Sequence, residues 1–185
     1  MRARPLALTL ALLLAGCAAE RSSAPSDLLS AGTPFSKEVY KRAGITVYLP
    51  DGMQTIDRPA PAVFRSTFGD WYVAGFAYRR KEQLPRNAGE LRAARRRLVA
   101  EVRRRDPKYR LVKARLTRSH GSPAIEVVGD QVLEHRRLRT RSVHVYKGRA
   151  EYVLEMAAPP AEFGPLDFVV FDRVADSLRV TGKPS

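Results

Sequence analysis

Cysteine occurs once in these 185 residues, at Cys17, so the chain can build neither an internal disulfide framework nor a multi-cysteine zinc site. Histidine is almost as scarce: His120, His135 and His144 are too far apart for a local metal motif, and no metal is expected. Only seven of the 33 basic residues are lysines, and acids number 19, so the net charge of +14 is overwhelmingly guanidinium. The most apolar stretch, Leu6 to Ala15, is half the length of about 20 residues that a membrane-crossing helix needs. There is no Gly-x-Ser-x-Gly elbow, no Gly-x-x-x-x-Gly-Lys loop and no dinucleotide fingerprint. These absences predict no catalytic residue and no cofactor.

What is present begins at the N-terminus. Arg2 and Arg4 precede the apolar run, which ends in Leu14, Ala15, Gly16 and Cys17. A charged start, a short apolar segment and small residues before a break have the form of a secretory signal. The last four residues resemble the lipobox of bacterial lipoproteins, in which the cysteine is diacylated and becomes the mature N-terminus. A cleaved secretory signal with an incidental Cys17, or an uncleaved anchor, would read the same way. On the lipobox reading the mature chain loses two arginines and no acid, its charge falls from +14 to +12, and its partner is the membrane. Two acyl chains suffice for stable attachment where one is marginal. Localisation is then the extracytoplasmic face of the cell membrane or outer membrane.

The expected organisation is a signal peptide over residues 1–16, a tether rich in Ala, Ser, Pro and Gly over 17–34, and one domain over 35–185. All seven phenylalanines, all seven tyrosines and the tryptophan lie in that last segment, enough for a packed core. Ile45, Val47 and Leu49 alternate with polar neighbours before the turn residues Pro50-Asp51-Gly52, which predicts a strand. Ala62 to Thr67 and Trp71 to Arg79 predict a hairpin. Asn87 with Glu90 predicts the start of a helix with Leu91, Ala94, Leu98 and Val102 on its apolar face, stopped by Asp106-Pro107. Four strands follow, Tyr109 to Arg118, Pro123 to Glu134, Arg137 to Tyr146 and Arg149 to Ala157.

If His135-Arg136 and Lys147-Gly148 are two-residue loops, Asp130 faces Arg141, Glu134 faces Arg137, Val128 faces Val143, Val143 faces Tyr152 and His144 faces Glu151. Glu126, Asp130 and Glu134 share one strand face, a cross-strand charge ladder with the arginines opposite. A second helix is expected over Leu166 to Leu178, burying Phe168, Phe171, Ala175 and Leu178. The fold class is α+β, a mainly antiparallel sheet of about six to seven strands covered by two helices.

This element order resembles the PsbP-like fold, found in an extrinsic photosystem subunit and in lipoproteins of the LpqN kind. The resemblance rests on Ala43-Gly44-Ile45-Thr46-Val47-Tyr48-Leu49-Pro50-Asp51-Gly52, on Gly121-Ser122-Pro123-Ala124 entering a long strand, and on Asp176-Ser177-Leu178-Arg179-Val180 closing the last helix. It implies recruitment as a binding or assembly subunit; no ligand-binding motif of the better-known members has a match here.

Arginine remains. Arg92, Arg96, Arg97, Arg103 and Arg104 lie opposite the apolar stripe of the first predicted helix, a face suited either to solubility or to anionic lipid and envelope polymers. The expected function is a lipid-anchored extracytoplasmic binding or assembly module, not an enzyme, with an unknown protein partner or small ligand. The alternative is a basic domain engaging anionic lipid or cell-envelope polymer, and an enzyme with an unrecognised site stands behind both. Export makes nucleic acid a poor partner.

Overall fold

The computed structural model describes residues 32–133 and 135–182; Cys17, most of the expected tether and Glu134 lie outside them. Five strands come first: β1 (Phe35–Tyr40), β2 (Ile45–Pro50), β3 (Gln54–Asp57), β4 (Ala62–Phe68) and β5 (Trp71–Arg79). Helix α1 (Ala88–Arg105) leads to β6 (Arg110–Ser119), β7 (Ser122–Leu133), β8 (Arg136–Lys147) and β9 (Ala150–Ala158). Helix α2 (Pro160–Leu166) continues through a π-helical turn, Asp167–Phe171, into α3 (Asp172–Ser177), and β10 (Arg179–Val180) closes the fold. Strands β3-β4-β5-β9-β8-β7-β6 form a seven-stranded antiparallel sheet, and β1-β2-β10 form a small second one. No helix among the described residues is long and apolar enough to cross a membrane.

Alternation along the strands decides what each face of the large sheet meets. One face carries Val73, Val145, Tyr152, Leu154 and Met156, which pack with Ile45 and Val47 of the small sheet and with Phe163, Leu166, Val170, Phe171 and Val174 of the C-terminal helices. The other carries Ile125, Val127 and Tyr146, which α1 covers with Leu91 and Ala94. Asn87 caps α1 as its spacing predicts: Asn87 Oδ1 accepts from the Glu90 N–H at 2.9 Å, and the Glu90 carboxylate accepts from the Arg86 N–H at 2.7 Å.

Both hairpin registers differ from the expected ones by two residues. At the first turn Leu133 pairs with Arg136, so Asp130 faces Arg139 and Val128 faces Arg141. His135 makes this turn with a φ of 64°; histidine is among the residues that enter the left-handed region most readily. The second turn is Gly148-Arg149, with Lys147 opposite Ala150, Val143 opposite Leu154 and His144 opposite Val153. Gly148, φ 63°, touches the backbone of Gly182, whose carbonyl would sit 2.3 Å from any added Cβ. A slip of two leaves every side chain on its predicted face, because the strand repeat is two.

The second helix also differs. It starts at Pro160, with Pro159 accepting the Glu162 and Phe163 N–H groups, a first-turn position that suits proline. Phe163 and Leu166 therefore set the phase. Phe168, five residues past Phe163, lies about 140° round the helix at 3.6 residues per turn. Phe171 is fully buried, as expected, and Leu178 and the half-buried Ala175 also pack into the core, but Phe168 is 78% exposed and the expectation that it is buried fails.

Arginine locks this helix to the sheet. Arg141, in β8, donates to Glu126 at 2.9 Å, to Asp167 at 2.7 Å and to Asp172 at 2.6 Å, and its guanidinium lies over the Phe171 ring. Arg115 adds a two-pronged contact to Glu126, and Arg139 another to Asp130. Burial works to raise the Glu126 carboxyl, but the Arg115 hydrogen bond and the Arg141 charge outweigh it and hold it below the usual carboxylate range.

Candidate functional site

Arg92, Arg96, Arg97, Arg103 and Arg104 are all carried by α1, and Arg104 is clamped to Glu101 at 2.7 and 3.0 Å, while the other four have no acidic partner among the described residues. Arg97 is set apart again, because it leans over the cleft that α1 makes with the sheet.

The floor of that cleft is polar. Glu151, from β9, accepts from Arg80 through one carboxylate oxygen and lies 2.8 Å from His144 Nδ1 through the other. The remaining ring nitrogen of His144 lies 3.1 Å from Ser142 Oγ. Burial pushes the Glu151 carboxyl up, but the hydrogen bond from His144 and the Arg80 guanidinium more than offset it, so it stays below the ordinary carboxylate value of 4.5. The Tyr146 hydroxyl beside it is pushed above its ordinary value by burial and by the Glu151 charge. On the neighbouring stretch of the same face Glu155 accepts from Tyr72 at 2.9 Å, and burial raises its carboxyl.

Serine, histidine and glutamate in this order have the connectivity of a hydrolase relay. The second requirement of acyl transfer is a pair of free N–H groups for an oxyanion. Ser142 is mid-strand in β8, with ladders on both sides to β7 and β9, so the backbone around it is committed to the sheet. The chain Arg80, Glu151, His144, Ser142 is a hydrogen-bonded polar floor laid along the sheet.

One cavity opens over this floor and a second adjoins it. The first, about 570 Å³, lies between α1 and the sheet, with Leu84, Pro85, Ala94, Leu98 and Tyr146 as its apolar wall and Arg80, Arg97, Arg104 and Arg105 around it. The second, about 480 Å³, shares Leu84, Pro85 and Tyr146 but is ringed by Lys81, Arg86, Lys147 and Arg149. The segment after β5 builds both. It leaves the sheet at Arg80, whose N–H donates to the Arg149 carbonyl, and reaches α1 at Asn87. Both volumes fall in the range of about 300–1,000 Å³ common to small-molecule sites. A larger groove of about 960 Å³ lies between the β1–β2 turn and the Asp57–Val63 connection, lined by Val39, Ala43, Pro59 and Pro61 with Arg42, Arg58 and Arg79.

The sequence points to the helix face but not to Arg80, Ser142, Tyr146 or the segment 81–86. His144 and Glu151 are expected directly opposite one another, and they meet on the diagonal instead. One signal is available: Ser142, His144 and Tyr146 alternate with Val143 and Val145, a period-two set of polar groups in an apolar strand.

No protein-family model matches this chain. Nor does any curated protein. Solved structures do match. The solution structure of cyanobacterial PsbP (CyanoP) from Synechocystis sp. PCC 6803 superposes with a TM-score of 0.63 at 10% identity, covering 80% of this chain and 94% of that one. LpqN, involved in cell envelope biogenesis of Mycobacterium tuberculosis, gives a TM-score of 0.55 at 15% identity over 81% of this chain and 87% of that one. A Pseudomonas aeruginosa protein of unknown function, PA94, gives 0.52 at 16% identity over 80% and 99%. With the ten-strand order and the two helical layers, these similarities establish that the chain has the PsbP-like fold.

Proposed function

We propose that the protein is a lipid-anchored extracytoplasmic binding module, with the paired cavities beside α1 as its binding site. The observation that carries this reading is the pair itself: two adjacent ligand-sized cavities share Leu84, Pro85 and Tyr146, and the one under α1 reaches the Arg80–Glu151 pair. Similarity to LpqN, itself a protein of cell envelope biogenesis, supports the location, as does the lipobox-like Leu14-Ala15-Gly16-Cys17.

Mass spectrometry of the protein from native membranes tests the anchor. A diacylated Cys17 at the mature N-terminus is the expected result, and Cys17→Ser should move the protein out of the membrane fraction without altering its melting temperature. A mature chain that retains Met1, or starts elsewhere, would overturn the anchor.

A second reading, a basic domain seated on anionic lipid or envelope polymer, is favoured by one observation: Arg92, Arg96, Arg97 and Arg103 lie on one helix without acidic partners among the described residues. Cations near an anionic surface contribute on the order of 1 kcal/mol each. The unacylated mature chain, residues 17–185 with Cys17→Ser, should then sediment with anionic vesicles in preference to neutral ones. Replacing Arg92, Arg96, Arg97, Arg103 and Arg104 by glutamine should erase the preference. Equal retention on both vesicle types would leave that face with solubility alone.

A further inference from the structure

The two cavities differ in what they leave unsatisfied. In the cavity under α1, Arg80 is spent on Glu151, and Arg104 and Arg105 are both within reach of Glu101. What that cavity offers a ligand is its apolar wall of Leu84, Ala94 and Leu98, with Arg97 at the rim as its cation without an acidic partner among the described residues. In the neighbouring cavity, Lys147 is committed to the Val180 carbonyl at 2.8 Å, but Lys81, Arg86 and Arg149 have no acidic partner among the described residues. The single acid among its lining residues, Glu82, lies 3.6 Å from Arg80. Three cations without acidic partners among the described residues thus line one cavity, while the next has the larger apolar wall with Arg97 at its rim, and Tyr146 lines both with its hydroxyl held toward Glu151.

We propose that the paired cavities hold one single-chain amphiphile with an anionic head, the head among Lys81, Arg86 and Arg149 and the apolar chain along Leu84, Ala94 and Leu98. This rests on the reading of these cavities as the binding site and adds the chemistry of what enters them. Guanidinium groups grip phosphate or carboxylate oxygens two at a time, which suits Arg86 and Arg149 as the head's contacts. A polyanion would meet the same cations but would leave the half-buried apolar wall empty. A neutral amphiphile would fill the wall but leave three cations unanswered.

The test uses the unacylated mature chain and three probes below any micelle concentration: dodecyl phosphate, dodecyl maltoside and inorganic phosphate. Calorimetry should show dodecyl phosphate binding one to one and at least tenfold more tightly than either other probe, with amide shifts at Leu98, Tyr146 and Arg149. Lys81→Gln/Arg86→Gln/Arg149→Gln, which removes charge without removing any ion pair of the fold, should bring dodecyl phosphate down to the affinity of dodecyl maltoside. The α1 variant Arg92→Gln/Arg96→Gln/Arg103→Gln changes no residue lining either cavity, and should keep the preference. Equal binding of phosphate and maltoside amphiphiles at these amides overturns the anionic head but keeps the cavities as a binding site. Inorganic phosphate binding as tightly as dodecyl phosphate overturns the amphiphile. Shifts that map elsewhere for every probe overturn both readings, and vesicle adhesion without binding of the monomeric probes overturns the amphiphile and transfers the charge to a surface role.

Discussion

The two faces of the seven-stranded sheet solve the same burial problem in opposite ways. Against the C-terminal helices the sheet is closed: Leu154, Met156, Tyr152 and Phe171 are all essentially inaccessible, and a charge cluster there, Arg141 with Glu126, Asp167 and Asp172, ties helix to strand. Against α1 only Leu91 and Ala94 are buried from the helix side, packed with the partly buried Leu98 and Val102 on Ile125, Val127 and Tyr146, and polar floor and open cavity adjoin this smaller cluster. The closed face has the side chains of a stability core, and the open one those of a site. Natural proteins place such imperfect packing where something else is meant to bind.

That contrast can be broken at several points. The largest effect is expected from Phe171→Ala, which removes a fully buried ring from the closed face and should cost about 3–5 kcal/mol, read as a fall in denaturant midpoint. An unchanged midpoint would mean that the C-terminal helix is not docked. Acid should act next, and on both faces. The Glu126 and Glu151 carboxyls lie below their ordinary value of 4.5 in the folded chain. The stability they contribute is therefore present above that value and is lost as the pH falls through their folded-state values. Melting temperature should drop as the buffer is taken from about pH 5 to pH 3, and a flat profile would show that these carboxylates do not hold the fold. The smallest effect belongs to Phe168→Ala, on the exposed flank of the same helix, which should stay within about 0.5 kcal/mol. A large loss there would place Phe168 in an interface.

Periodicity makes most of the fold legible. The β4–β5 hairpin, the Asn87 cap, the apolar stripe of α1 and the four long strands follow from local alternation and capping chemistry that tertiary context does not override. Turn placement is less legible, because His135 adopts a left-handed backbone that its type permits without requiring. Strands β1 and β3 have too little apolar content to announce themselves; β3 is exposed along its length and is held by pairing with β4. The start of the second helix depends on Phe163 and Leu166, and a stripe drawn from Phe168 onward misplaces Phe168 itself, while Phe171, Ala175 and Leu178 pack inward as expected. The site is mostly illegible, since Arg80, Tyr146 and Glu151 meet only through long-range pairing of β5, β8 and β9.

The small sheet bears on how the molecule would carry load. The chain enters the fold through β1, an edge strand, and leaves through β10, and both pair with β2 rather than with the large sheet. Tension arriving along the N-terminal segment is met first by the six β1–β2 residue pairs. Pulled along the strand axis those pairs resist together, whereas pulled sideways they open in succession, like a zip. In either case a pull on the N-terminal segment would load the β1–β2 ladder and the stack of Tyr40 on Phe64 before it reached β5 to β9 or the cavities beside α1.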